Sequence, residues 1–310
     1  MQQGTNKSVW KELVLVTVVG ILFSRFSLGS VLMTIPLLVV VPNVKKLWQA
    51  LLAFAVMLVG TVTWTVIDNL EVIKAGYGSV LAITLFLPVC TICGATAWAI
   101  VSRKSRAGLR KFFYACAPAV VLGLALAVWF STDYAASTKE ILKGSLLYAF
   151  PEDTLGVNIE SIVDLVMSFL NVSFVPMGMA VVAIPVLISD LIMYRYDEAW
   201  QYDFACMKLP DPFIWAFFGF WALALASSLV SSIPMLVYCI SWNVAFAITV
   251  LYAVQGLSIL VALFRRRTAF MSVGRVVGFA LLLCLIPGLN MIGLVGLPVL
   301  GLLETWFRFR

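Results

Sequence analysis

The sequence predicts an all-α protein, a polytopic transmembrane helical bundle with about eight to ten membrane-crossing segments, some of them short or re-entrant. Three observations carry that expectation. The chain of 310 residues is 63% hydrophobic and only 12% charged, where a soluble domain carries about 25% charged residues. Its mean hydropathy is +1.05. Apolar runs near the roughly 20 residues needed to cross a bilayer recur from end to end, so 1–310 reads as a single integral membrane domain. The net charge of +6 does not imply nucleic acid, because the basic residues sit in short clusters beside apolar runs, as the positive-inside rule produces.

Taken in order, Lys7 and Lys11 precede an apolar run Leu13–Phe23 that resembles a signal peptide, but Ser24-Arg25-Phe26-Ser27 offers no small-x-small cleavage site, so the run reads as an uncleaved first helix. A second run, Leu28 to Val41, follows at once and predicts a hairpin with Arg25 near its tip; Pro42, Lys45 and Lys46 mark the return. A third helix is expected from about Leu47 to Val66 and a fourth from about Ser79 to Val101. Residues 103–111 then hold five basic residues and no acidic one, which places that loop in the cytoplasm. After a fifth helix over Phe112–Phe130, the stretch 131–164 holds six acidic residues against two lysines and reads as an extracytoplasmic loop.

A sixth helix is expected between Asn171 and Met193, interrupted by Pro176 and Pro185, and two more from about Pro212 to Val230 and from about Ile233 to Leu263. Residues 264–310 read as a C-terminal helical hairpin. Arg265–Arg267 and Arg275 before it, and Arg308 and Arg310 after it, all belong on one side, which requires Pro287-Gly288-Leu289-Asn290 to be a turn. The count is then about ten crossings with both termini cytoplasmic. Trp48, Trp64, Trp98, Trp129, Trp215, Trp242 and Trp306 fall near helix boundaries, as interfacial tryptophans do.

The chain contains no His, which removes the commonest general base, the commonest zinc ligand and every His-assisted nucleophile. No phosphate-cradling loop and no nucleophile elbow occurs. Cys90 and Cys93 have metal or redox spacing, but no second pair completes a site, and in a helix they read as small buried hydrophobes. An enzyme, a metal and a cofactor are therefore not expected.

Polar groups inside apolar runs are the remaining candidates, because each costs free energy in lipid unless it finds a partner. Thr249, Tyr252 and Gln255 or Gly256 recur three or four apart and share one face of the eighth helix. That stripe is a ligand contact or an interhelical hydrogen-bonding seam beside a close-packing glycine. Asn243 caps its helix or bonds across the bundle, and Asn290 lies at the Pro-Gly break. Asp190 is an ionisable group near a helix end, a functional candidate or the partner of a neighbouring cation. Gly274 and Gly278 have the small-xxx-small spacing of tight helix packing.

Leu251-Tyr252-Ala253-Val254-Gln255-Gly256-Leu257-Ser258, followed by a basic turn, a Pro-Gly break and the terminal Gly-Leu-Leu-Glu-Thr-Trp-Phe-Arg-Phe-Arg, resembles the YybS-like family of uncharacterised bacterial polytopic membrane proteins. In that family an acidic residue precedes the last aromatics and Arg, here Glu304. The N-terminal hairpin followed by Val41-Pro42-Asn43-Val44-Lys45-Lys46 is similar too. The family is distantly similar to the substrate-binding S components of energy-coupling-factor transporters. The resemblance implies a bacterial inner-membrane protein that binds or transports a small molecule and works with other membrane proteins. This chain departs from the S components in lacking an Ala-xxx-Ala signature in its first helix and in being longer. The alternative from another class is a non-transporting scaffold that packs its polar stripe against a partner membrane protein.

Overall fold

Helices that are apolar on all sides must be covered on all sides, by lipid or by one another. A computed structural model of the chain describes residues 3–26, 29–74, 78–102, 109–131, 135–149, 158–230, 232–267, 272–288, 290–307 and 309. The basic loop at 103–108 and the acidic stretch at 150–157 lie outside them. Among the described residues there is no strand; the helices are α1 (Gln3–Phe23), α2 (Gly29–Leu32), α3 (Ile35–Val40), α4 (Leu47–Asp68), α5 (Leu70–Lys74), α6 (Gly78–Ser102), α7 (Leu109–Phe130), α8 (Ala135–Ala149), α9 (Ile159–Met193), α10 (Glu198–Ala205), α11 (Phe213–Leu229), α12 (Met235–Arg267), α13 (Val273–Leu285) and α14 (Asn290–Leu303). The all-α bundle is thus the observed fold.

The centre is α6, α7 and α9. They approach closely because glycines face their neighbours' backbones: a Cβ on Gly123 would lie 2.9 Å from Val175 Cα, and one on Gly94 would lie 2.8 Å from the Ala115 carbonyl. Phe174 closes the centre against Phe86 and Phe130, with ring centroids 5.6 and 5.4 Å apart and edges turned to faces. On one flank α12 packs on α9 and carries α11 and α14; on the other, α4 packs on α6 and carries α1.

At the N-terminus α1 and α4 run parallel. Trp10 and Trp48 stack at one end, 5.6 Å between centroids, and Arg25 bonds Asp68 at 3.0 Å at the other. The residues between them therefore return through the bundle. They do so as two short pieces, α2 and α3, joined at Met33 and Thr34 and followed by a 3-10 turn over Val41–Asn43, whereas the sequence predicts one helix over Leu28–Val41. Pro36 is the cause: its ring excludes the carbonyl four residues back, and that residue, Leu32, is where α2 stops. Met33, Leu37 and Leu38 are fully buried there.

Two other expectations are corrected. The described part of the stretch 131–164 is helical, holding α8 and the first turns of α9, tied together by the ion pairs Lys139–Asp164 and Lys143–Glu160. The sixth helix runs unbroken through both prolines; α9 starts at Ile159, where Asn158 Oδ1 accepts the Glu160 amide, and has 35 residues, or about 52 Å against a hydrocarbon thickness of about 30 Å. The basic triplet Arg265–Arg267 likewise ends α12 rather than forming a turn, with cations where a helix C-terminus favours them.

At the C-terminus, Pro287 and Gly288, the latter at φ +88, turn the chain between α13 and α14. Arg266 Nη1 donates to the Phe309 carbonyl at 3.0 Å, which returns the chain to the end of α12. That end of the bundle also collects Lys46, Lys111, Arg195, Lys208 and Arg275 and is called the basic end below.

The tightest seam joins α12 to α14. A Cβ on Gly256 would overlap the Leu297 carbonyl, and one on Gly301 would overlap the Tyr252 carbonyl, whereas nothing lies within 4 Å of a Cβ on Gly278. Gly274 meets only Leu191, at 3.9 Å. Among the described residues, no close neighbour stands at Gly274 or Gly278, whereas close packing is found at Gly256, where it was expected, and at Gly301. Gly256→Leu is expected to lower the Tm of the detergent-solubilised protein by several degrees, and Gly278→Leu to leave it unchanged; equal effects in a melting experiment would contradict this seam.

Candidate functional site

The polar stripe of α12 is a seam of bonds to other elements. Asn243, fully buried, bonds the α9 backbone just before Pro176: its Oδ1 accepts the Val175 amide at 2.9 Å and its Nδ2 donates to the Asn171 carbonyl at 2.6 Å. Those two backbone groups are four apart in α9 and would bond each other in a regular helix. The amide is thus threaded into the α9 backbone, and it also donates to Cys239 O at 2.8 Å.

Gln255 performs a similar service at the basic end. Its Oε1 accepts the Leu209 amide at 2.7 Å, and its Nε2 donates to the Gly301 carbonyl at 2.9 Å. The first belongs to the non-helical segment after α10, the second to the last turn of α14, where carbonyls lack helical partners. Ser258 Oγ donates to Met207 O at 2.9 Å. Thr249 accepts Trp221 Nε1 at 3.1 Å and donates to Ala245 O. Tyr252, 2% exposed, stacks edge-to-face with Phe217 at 5.5 Å.

Of the six residues expected to contact a ligand, Asn243, Tyr252 and Gln255 are buried and Thr249 is half-buried, and all four are bonded or packed against α9, α11, α14 or residues 207–209. Asn290 is separate from them, half-buried at the start of α14, with Oδ1 accepting the Met291 amide.

Asp190 lies elsewhere, in the last turn of α9, 3.4 Å from Lys111 Nζ at the start of α7; both side chains are buried. The ammonium lies over the Trp98 ring at 4.2 Å and 5.6 Å from that of Tyr194. Trp98 is therefore a wholly buried cation-π partner rather than an interfacial residue. Trp200 and Phe204 of α10 close the site from the basic end, leaving about 30 Å³, room for about one water molecule. This pair locks α6, α7, α9 and α10 together. Sequence reasoning placed Lys111 in the cytoplasmic basic cluster; the available signal was that it borders Phe112 and the apolar run, on the membrane side of that cluster.

One more group of residues was read only for topology. Arg195, just beyond α9, Arg265 in the last turn of α12 and Arg275 in the first turn of α13 line a cleft of about 720 Å³ at the basic end. Glu198 and Gln201 of α10 line it too, while Ile188, Leu191 and Ile192 of α9 form an apolar wall. Ser272, Val273 and Gly274, at the start of α13, line the cleft as well, and Ser272 makes no side-chain capping bond. Gln201 Nε2 holds the Arg195 carbonyl at 2.9 Å. Neither Arg195 nor Arg265 forms an ion pair with a described residue.

The class of protein follows from the helices: α4, α6, α7, α9 and α12 each contain a stretch long and apolar enough to cross a membrane, and shorter apolar helices lie between and after them. This is a multi-pass membrane protein in a lipid bilayer. Compared with protein-family models, curated proteins and solved structures, the chain matches none.

Removing one member of a buried ion pair leaves the other charge uncompensated, at a cost of about 3–5 kcal/mol, whereas replacing both by apolar residues is often neutral. Lys111→Met alone is therefore expected to destabilise the fold strongly, and Lys111→Met with Asp190→Leu to recover most of the loss, in reversible unfolding measurements. Asn243→Ala removes two hydrogen bonds that tie α12 to the α9 backbone and should cost about 1–3 kcal/mol; a melting curve like that of the unaltered protein would show that the α9–α12 contact does not depend on it.

Proposed function

We propose that the chain is a protein of the bacterial cytoplasmic membrane, with its basic end and both termini on the cytoplasmic side, that binds an anionic ligand in the cleft between α9, α10, α12 and α13. One observation carries this reading: three arginines line a roomy cleft that has a single carboxylate, Glu198, on its lining. Arginine is suited to this because its guanidinium is always charged and offers a fork of donors to an oxyanion. The concentration of basic residues at one end supports its orientation by the positive-inside rule. The role is binding. Asn243, Thr249, Tyr252 and Gln255 have partners inside the fold, which favours the cleft over the α12 stripe as the place of binding.

Two measurements test this. Cys206 is exposed at the basic end, while Cys90, Cys116 and Cys239 are buried; a membrane-impermeant maleimide should label Cys206 in permeabilised cells and not in intact ones, and labelling in intact cells would reverse the orientation. Mass spectrometry of small molecules retained by the native protein should find an anionic species that is lost from an Arg195→Ala, Arg265→Ala variant of normal Tm. Retention of the same species by both proteins would sink the cleft as its site.

A further inference from the structure

The cleft is built in two layers, and the layering says what kind of anion it takes. All three arginines stand at helix ends: Arg195 beyond the α9 C-cap, Arg265 in the last turn of α12 and Arg275 in the first turn of α13. Helix ends in a membrane bundle lie at the boundary between hydrocarbon and water. Exposed aromatics mark the same level: Tyr196 is 85%, Tyr202 66% and Trp215 77% exposed, as in an interfacial belt. The cationic layer therefore sits at headgroup depth.

The apolar layer lies deeper. Ile188, Leu191 and Ile192 occupy the last turns of α9 before Arg195, so they continue the cleft toward the hydrocarbon. Ile192 is 53% exposed there, and Phe279, further along α13, is 57% exposed. A water-soluble anion would use the arginines and leave this wall facing lipid. A ligand with a phosphate at one end and an acyl chain at the other would use both layers.

We infer that the cleft is a site for an anionic phospholipid, with its phosphate among Arg195, Arg265 and Arg275 and an acyl chain along Ile188, Leu191 and Ile192. This rests on the reading that the cleft binds an anion and adds the class of that anion. Basic pockets between membrane helices on the cytoplasmic side are suited to such headgroups. The first-turn amides of α13, at Ser272–Gly274 on the cleft lining, add donors and the positive end of a helix dipole to the same phosphate.

The test uses the full chain reconstituted in vesicles of phosphatidylethanolamine with a minor share of phosphatidylglycerol, extracted gently and weighed with its retained lipids by native mass spectrometry. Phosphatidylglycerol should be enriched on the protein relative to the vesicle. Arg265→Gln and Arg275→Gln should each lower that enrichment about fivefold, and Lys45→Gln with Lys46→Gln, elsewhere at the same end, should leave it unchanged. Should an arginine variant fail to fold, Ile192→Trp, at an exposed position, should block the acyl layer and abolish the enrichment. Enrichment that survives the cleft variants, or that the lysine variant loses equally, overturns the inference. If inorganic phosphate raises the Tm through the same arginines while no phosphatidylglycerol is enriched, the anion-binding reading stands and the lipid inference falls. If neither phosphate nor lipid responds to the arginines, both fall.

Discussion

A backbone amide or carbonyl without a partner cannot be left in hydrocarbon, and this fold interrupts its backbone repeatedly. Pro176 breaks the ladder of α9, α14 ends inside the bundle, and residues 206–210 run without helix beside α12. The partners come from one helix. Asn243 serves α9, Gln255 serves both Leu209 and Gly301, and Ser258 serves Met207. The long α12 is thus a post to which the irregular parts of the chain are fastened. Its glycine at 256 lets α14 come close enough for Gln255 to reach across.

Much of this arrangement was legible in the sequence. Composition and the length of apolar runs give a helical membrane bundle directly, and the Pro-Gly break together with flanking arginines gives the C-terminal hairpin. The stripe on α12 was visible as polar residues at helical spacing. Its meaning was not, because a hydrogen bond to another element's backbone and a contact with a ligand demand the same residue types. Only the positions of Val175, Leu209 and Gly301 decide between them. The break at Pro36 and the continuity of α9 through two prolines mark the same limit. A proline's effect depends on the tertiary packing around it, and the side chain that bonds the α9 backbone just before Pro176 lies 68 positions away in sequence.

Charge was the other difficult quantity. Along the sequence, Lys111 and Arg275 belong to similar basic clusters, yet one is sealed under aromatic rings against Asp190 and the other opens on a cleft. The buried pair holds four helices at the basic end in a fixed relation. It thereby fixes the end of α9 that forms one wall of the cleft, and Trp200 of α10 borders both sites. Rigid support behind and arginines lining the cleft in front is the arrangement that a preorganised anion site requires.

The C-terminal hairpin carries a mechanical consequence for the bilayer itself. With 13 and 14 residues, α13 and α14 extend about 20 Å each, well short of a hydrocarbon core of about 30 Å. Phe279, Leu282, Met291 and Leu294 are nevertheless exposed along them, so lipid must meet this short wall directly. A mismatch of that size is relieved by local thinning. Thinning of that kind would draw the leaflets on this flank toward each other and favour the thinner patches of a laterally uneven membrane.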